Sequence, residues 1–189
     1  MKYLLTVAFC ILCSLGLQAQ DRNWSFELNK ISPIDDNFTK SSNGYLDLGV
    51  KYQKEILTNA SLGLTLNTGF LYRNPDNITV HTAVFQPKLV AELKLPFANS
   101  VRVFGGYGYS YMVFYSFDML QTKDGSKHPL PTSVQSGWSY NLGASYDLSE
   151  RIFCHFQYDF IKLGEEEGIP HTKYNSHVNL LQIGLGWRV

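Results

Sequence analysis

The side chains best suited to chemistry fall at a few positions of the sequence. His155 and Asp159 are four positions apart in a segment where polar and apolar residues alternate, so both would lie on one face of a strand. Such a pair could relay a proton, although a satisfied interior polar pair is the commoner arrangement. Ser176 and His177, with His171 close by, come nearest to a hydrolytic motif. Because adjacent strand residues point to opposite faces, they fail the geometry of a nucleophile and its base. We therefore expect no enzymatic activity.

Metal and redox chemistry have equally little support. Cys10 and Cys13 lie in an N-terminal apolar segment, and Cys154 then stands alone, so no CxxC pair remains outside that segment. The acidic run at 165–167 could chelate divalent ions that bridge lipopolysaccharide, but a solvated acidic loop is the commoner occurrence. We expect no cofactor and no metal.

The composition narrows the classes of protein. The chain has 189 residues, with 16 basic and 16 acidic side chains and a formal net charge of zero. A nucleic-acid-binding protein would need a basic excess to neutralise phosphates, so we expect no nucleic-acid partner. No apolar run reaches the roughly 18–20 residues of a membrane-spanning helix. At 44% hydrophobic residues, the chain is too apolar to be disordered.

The N-terminus has the features of a secretory signal peptide. Lys2 supplies a positive charge, residues 3–17 are apolar, and the small residue Ala19 lies next to the expected cleavage point. We predict a signal peptide over 1–19 and a single β-barrel domain over 20–189.

After the signal peptide, apolar and polar residues alternate with a period of two, which predicts strands. The predicted strands cover about 23–30, 44–54, 60–72, 81–95, 101–115, 137–147, 151–161 and 178–189. Pro87 lies inside the fourth strand and cannot donate a ladder hydrogen bond, which predicts a local bulge.

The connections between these strands alternate in length. The long, polar ones are 31–43, 73–80, 116–136 and 162–177, and the short ones lie near 57–59, 96–100 and 148–150. Short turns at one end and long loops at the other are typical of transmembrane β-barrels. The fold class is therefore all-β: an eight-stranded antiparallel up-and-down transmembrane β-barrel.

Alternation alone does not say which face of the strands meets water. A soluble lipocalin-like barrel also has eight strands, but its apolar face points inward. Here the polar face is rich in small residues such as Gly106 and Ser139, which suit a narrow lumen. Trp24 and Trp187 would meet at one rim, and tyrosines gather towards the other, as in the aromatic girdles of membrane barrels. These features favour the membrane barrel.

The polar face would then form a network inside the lumen. Its members are Glu27, Asp47, Lys51, Lys88, Glu92, Arg102, Asp147, His155, Asp159 and Arg188. Isolated buried charges are unfavourable, so these residues should pair across strands. The lumen of eight strands is just filled by side chains, which predicts a plugged barrel rather than a general porin. A narrow channel for small solutes remains an alternative.

The last eight residues resemble the assembly signal of outer-membrane proteins. Gln182, Gly184, Trp187 and the terminal Val189 match its polar, glycine, aromatic and hydrophobic positions, although phenylalanine is commoner than valine at the end. With the signal peptide and eight strands, the mature chain resembles the small outer-membrane β-barrel domain family common in Bacteroidetes, akin to OmpX-type barrels. This resemblance implies an integral protein of the Gram-negative outer membrane, inserted by the outer-membrane assembly machinery.

The resemblance does not bring a defined activity, since this fold carries anchors, adhesins, channels and lipid-modifying enzymes. We expect a scaffold that contacts outer-membrane lipid and lipopolysaccharide. The long loops at 116–136 and 162–177 are the expected contacts with an extracellular ligand. A lipid A-modifying enzyme, a soluble lipocalin-like periplasmic barrel and a narrow channel are the alternatives.

Overall fold

Alternating polar and apolar residues form long antiparallel strands in this protein. The computed structural model describes residues 23–34, 39, 42–74, 78–121, 127–164 and 172–189. The predicted signal peptide at 1–19 and the acidic run at 165–167 lie outside these residues, and the signal peptide stays a prediction.

The described elements follow one another along the chain with one short helix among the strands. They are β1 (Trp24–Pro33), β2 (Asn43–Leu57), β3 (Ala60–Arg73), β4 (Val80–Lys94), β5 (Val101–Tyr115), β6 (Met119–Gln121), β7 (Lys127–Pro129), β8 (Ser133–Asp147), β9 (Ile152–Leu163), α1 (Lys173–Ser176) and β10 (His177–Arg188).

Eight of the strands close into a barrel. Its order is β1-β10-β9-β8-β5-β4-β3-β2, and every neighbouring pair is antiparallel. β1 pairs with β10 from Ser25↔Arg188 to Pro33↔Leu180, so the sheet has no open edge. The predicted eight-stranded up-and-down barrel is confirmed.

Side chains alternate between a polar lumen and an apolar outer face. Leu28, Leu64, Leu89, Leu142 and Leu185 are 54–67% exposed on the outside, although leucine is usually buried in a water-soluble protein. Polar residues next to them along the strands are buried. A water-soluble lipocalin-like barrel would show the opposite arrangement, so this alternative is wrong.

Aromatic rings gather at both ends of the outer face, as predicted. Trp24 lies against Tyr52 near the short connections, with ring centroids 5.0 Å apart. Towards the long connections, Tyr45 stacks on Tyr72 at 4.3 Å. Such girdles mark the two interfaces of a membrane with water.

The structure corrects the prediction at Pro87. β4 and β5 pair in one register on both sides of this residue, from Phe85↔Tyr111 to Lys88↔Gly108, so there is no bulge. The pairing with β5 is only interrupted at Gln86 and Pro87, because proline has no N–H to donate. The irregularities lie instead in β2, where the register shifts between Gly44 and Leu46 and between Glu55 and Leu57.

The loops predicted at 116–136 and 162–177 are longer than the connections in the structure. Residues 133–136 already belong to β8, residues 162–163 to β9, and His177 to β10. Between β5 and β8, β6 and β7 form a separate two-stranded sheet beyond the barrel.

The filled lumen as the candidate functional site

A buried ion pair crosses the middle of the lumen. Lys88 on β4 and Asp159 on β9 are not on neighbouring strands, yet Lys88 Nζ lies 2.6 Å from Asp159 Oδ1, and both side chains are 0% exposed. Gln157 Nε2 donates to the other carboxylate oxygen of Asp159 at 2.8 Å. The pair ties opposite walls of the barrel together and occupies the space between them.

A second ion pair lies nearer the short connections. Lys51 Nζ is 2.8 Å from Glu27 Oε1 on the neighbouring strand. The same ammonium group lies 4.8 Å from the centre of the Phe104 ring, a cation–π contact. His155 Nδ1 is 3.9 Å from Glu27 Oε1, which is too long for a hydrogen bond. Neither ring nitrogen of His155 has a hydrogen-bond partner among the described residues.

This arrangement separates the predicted histidine–aspartate pair. Asp159 is engaged by Lys88 and Gln157, whereas the carboxylate closest to His155 is Glu27. The sequence places both side chains on one strand face but gives no information on which opposite wall each will meet.

Two arginines and two acids lie at the end of the lumen with the short connections. They form a third charged layer, after the Lys88–Asp159 and Lys51–Glu27 ion pairs. Arg102 Nη1 is 3.2 Å from Glu92 Oε1, and Arg102 Nε and Nη2 each lie 3.1 Å from Asp147 Oδ2. Arg188 Nη2 contacts the other oxygen of Asp147 at 2.8 Å. A cavity of about 630 Å³ opens beside this layer, and Arg102, Arg188 and Glu92 line it.

The remaining acid of the network has no cationic partner among the residues that the structure describes. Asp47 is fully buried, and its Oδ1 accepts hydrogen bonds from Asn29 Nδ2 at 2.9 Å and Asn67 Nδ2 at 3.0 Å. The predicted network holds five acids and four bases, apart from His155. The structure identifies Asp47 as the unpaired acid, and amide donors satisfy one of its oxygens.

An apolar cluster fills the other end of the lumen, and the sequence reasoning missed it. Its members, all at most 2% exposed, are Ile31, Leu71, Val84, Met112, Ile161, Leu163, Val178 and Leu180. Ile31 and Leu163 fall within the predicted connections 31–43 and 162–177. The available indication was the loss of alternation at these strand ends, where consecutive residues such as Phe70, Leu71 and Tyr72 are all apolar.

The four residues matched to the assembly signal occupy distinct environments on β10. Gln182 is 0% exposed inside the lumen. A Cβ at Gly184 would collide with Asn29, and Trp187 lies on the outer face at 51% exposure. Val189 N donates to Trp24 O at 2.9 Å, which ties the chain end to β1.

The candidate hydrolytic pair is poorly placed for catalysis. Ser176 is 2% exposed, and its Oγ donates to the carbonyl oxygen of Thr172, the residue just before α1, at 2.7 Å. His177 contacts the Phe160 ring at 5.2 Å. No group of three potential metal ligands of the His, Cys, Asp or Glu types occurs in the described part of the chain.

The family model for the outer membrane protein beta-barrel domain matches residues 8–188. The chain belongs to this family. The match and the outward-facing leucines together establish an integral protein of the outer membrane. No helix in the described segments is long and apolar enough to cross a membrane. The assignment to a Bacteroidetes type stays a prediction.

Solved structures share the fold at low sequence identity. Ail, the attachment invasion locus protein of Yersinia pestis, solved in complex with the heparin analogue sucrose octasulfate, has a TM-score of 0.57 and 12% identity, over 88% of this chain and 96% of Ail. Neisserial surface protein A has a TM-score of 0.53 and 14% identity, over 88% and 96% of the two chains. A search of curated proteins finds no significant match.

Proposed function

We propose that the protein is a closed outer-membrane scaffold that displays an extracellular hairpin for binding and does not conduct solutes. The observation that carries this proposal is the filled lumen. Charged layers occupy its middle and one end, and the apolar cluster occupies the other end. A solute would have to break buried ion pairs and then cross the apolar cluster, and both steps are unfavourable.

The hairpin formed by β6 and β7 is held at its base by the neighbouring connection. Asp118 Oδ2 accepts a hydrogen bond from Thr79 N at 2.6 Å, and Ser116 Oγ donates to Thr79 O at 2.6 Å. The segment that leaves β5 is therefore fixed to the connection between β3 and β4. A binding segment on a rigid base loses less conformational entropy when it captures a partner.

Conductance across a planar lipid bilayer tests the closed lumen. We expect the wild-type protein to insert without stepwise current, because buried ion pairs and the apolar cluster fill the described part of the lumen. A refolded general porin provides the positive control. Reproducible single-channel openings by the wild-type protein would contradict the closed scaffold and support the narrow-channel alternative.

Replacement of residues 119–131 by a short Gly/Ser turn tests the display of the hairpin. Ser116 and Asp118 are retained, so the barrel should insert normally. Binding to a glycan array that includes sulfated saccharides is the first measurement, because Ail was crystallised with a heparin analogue. We expect the replacement to abolish any binding that the wild type shows.

The control for this experiment is the heat-modifiable migration of both proteins on gels. Equal migration shifts show that both barrels are folded. Wild-type binding that persists after the replacement would exclude the hairpin as the binding element. A replacement variant that fails to fold would assign the hairpin a structural role.

A further inference from the structure

His155 is a titratable side chain that the charged layers of the lumen enclose without engaging. Its side chain is 1% exposed, and neither ring nitrogen has a hydrogen-bond partner among the described residues. The rings of Phe104 and Phe153 flank it, with centroids 6.4 Å and 5.7 Å from that of the imidazole. An enclosed position of this kind accepts a neutral imidazole more readily than an unpaired imidazolium.

The carboxylate nearest to His155 already serves a cation. Glu27 Oε1 lies 2.8 Å from Lys51 Nζ and 3.9 Å from His155 Nδ1, so both groups face the same oxygen. The other oxygen, Oε2, lies against the backbone of β2, where a Cβ at Gly49 would be 2.9 Å from it. Glu27 therefore presents one oxygen to two side chains that come from different strands.

Asp147, in the layer with the two arginines, has the opposite arrangement. Arg102 Nη2 contacts its Oδ2 at 3.1 Å, and Arg188 Nη2 contacts its Oδ1 at 2.8 Å, so each cation has an oxygen of its own. Two permanent cations therefore fit that carboxylate together. At Glu27, a charged His155 would have to share the oxygen that Lys51 occupies, and two cations repel each other at this range.

The other charged groups around His155 are engaged in pairs of their own. They lie on β4, β5, β8, β9 and β10, and their ion pairs are Lys88–Asp159, Arg102–Glu92, Arg102–Asp147 and Arg188–Asp147. Asp47 on β2 accepts hydrogen bonds from two asparagine amides. Among the described residues, Glu27 is therefore the carboxylate for which a charged His155 would compete.

We propose that His155 is the titratable element of a pH-sensitive switch, in which its protonation draws Glu27 Oε1 away from Lys51. At neutral pH the Lys51–Glu27 pair joins β2 to β1, and the Lys51 ammonium group lies 4.8 Å from the centre of the Phe104 ring. In acid, Glu27 pairs with His155 on β9 instead, and Lys51 becomes an unpaired buried cation, which is unfavourable.

The switch makes the folded barrel less stable as the pH falls through the range in which histidine titrates. The unfolded chain exposes the imidazole to water and binds the proton without losing an ion pair, so acid favours the unfolded state. Ser145 gives protons a polar link to this position. It pairs with Arg102, which lines the cavity at the end with the short connections, and on its other side with His155.

Urea unfolding in lipid vesicles at about pH 8 and about pH 5 tests the switch. Between these values, the equilibrium constant for unfolding should rise about tenfold more for the wild type than for His155→Gln, which has no titratable ring. The matched control is His81→Gln. This variant removes an imidazole that stacks on Tyr115 at the end with the long connections, and it should keep the wild-type response.

Lys51→Met gives a test of sign. Without Lys51, a charged His155 becomes the cation that balances Glu27, so acid should stabilise this variant instead of destabilising it. The same unfolding experiment at the two pH values measures the reversal. Acid that destabilised Lys51→Met as much as the wild type would show that the two side chains do not compete for Glu27, and the proposal would fail.

NMR spectroscopy of the wild-type barrel in detergent follows the switch without any substitution. The ring current of Phe104 should shift the Lys51 side-chain signals upfield at neutral pH, and they should return downfield with the same midpoint as the His155 ring signals. Lys51 signals that do not follow the His155 titration would overturn the proposal. An acid response that is equal in His155→Gln and the wild type, or that is lost in His81→Gln, would also overturn it.

Discussion

At the scale of single residues, the stability of the lumen depends on whether each buried charge has a partner more than on how many charges the lumen contains. Lys88 and Asp159 are fully buried, so each removes the penalty that the other would suffer alone. Within the described part of the chain, Asp47 has no cationic partner and relies on the amides of Asn29 and Asn67. Neutral donors can therefore stand in for a counter-charge where the carboxylate is enclosed.

The Lys88–Asp159 pair gives the sharpest stability prediction. Lys88→Met should lower the free energy of unfolding by about 3–5 kcal/mol, because Asp159 is left as an uncompensated buried charge. The double variant Lys88→Met/Asp159→Leu should recover most of this loss. Urea unfolding in lipid vesicles measures both variants, and a single variant as stable as the wild type would show that the pair contributes nothing.

Position 186 requires glycine for tight packing of the lumen, because the Phe153 ring occupies the space that a side chain would need. A Cβ at this position would collide with the Phe153 ring, against which the Arg188 guanidinium packs at 4.3 Å from the ring centre. Gly186→Ala should lower the free energy of unfolding by about 1–3 kcal/mol through overpacking. Urea unfolding of the variant and the wild type in lipid vesicles measures this difference in stability.

Gly105 provides the matched control for this substitution. A Cβ there would meet nothing closer than Asn141 O at 3.5 Å, an ordinary contact. Gly105→Ala should therefore be close to neutral. If both alanine variants lost the same stability, backbone effects rather than the Phe153 ring would be responsible. Adding Phe153→Leu should relieve the defect of Gly186→Ala alone.

At the scale of elements, β10 has two roles that one substitution series can separate. Its inward residues pack the lumen, whereas Trp187 stands on the outer face. The predicted recognition of β10 by the assembly machinery involves the outward aromatic and the chain end. Packing and recognition therefore fall on different residues of one strand.

Trp187→Ala should reduce insertion in cells but leave refolding in detergent nearly unchanged, because recognition is lost and the lumen is intact. Gly184→Ala should impair both, since its Cβ would collide with Asn29. The heat-modifiable fraction, measured in outer membranes and after refolding in detergent, distinguishes the two effects. Equal losses in both assays for Trp187→Ala would argue against a recognition role.

At the scale of the whole molecule, the inverted distribution of polar and apolar residues is what makes the barrel a membrane protein. The outer face carries large apolar side chains that stay exposed within the chain and gain their stabilisation from acyl chains. The lumen therefore has to satisfy its own polar groups, and it does so with ion pairs and amide hydrogen bonds.

Cysteine labelling in a bilayer tests this orientation. Cys154 lies on the outer face, with its neighbours Phe153 and His155 only 2% and 4% exposed inside. A water-soluble maleimide should not label Cys154 in lipid vesicles but should label it after denaturation. Ser149→Cys, on an exposed short connection, should react in both states. Rapid labelling of Cys154 in vesicles would contradict a lipid-facing position.

The sequence alone determined the strands, their order and the membrane class, because alternation with a period of two and the lengths of the connections are local properties. It also identified the charged residues of the polar face. It did not determine that Lys88 meets Asp159, that His155 faces Glu27, or that Asp47 is left unpaired. These contacts depend on the register of strands far apart in the chain and on which side chains meet across the lumen.

The tertiary structure also decided where the lumen is closed. Ile31 and Leu163 read as loop residues because the alternation fades around them, yet barrel closure brings them together with Leu71 and Leu180. The physical reason is that a closed sheet has an interior whose contents come from every strand. Local patterning specifies which way each side chain points, and only the closed geometry specifies what it meets.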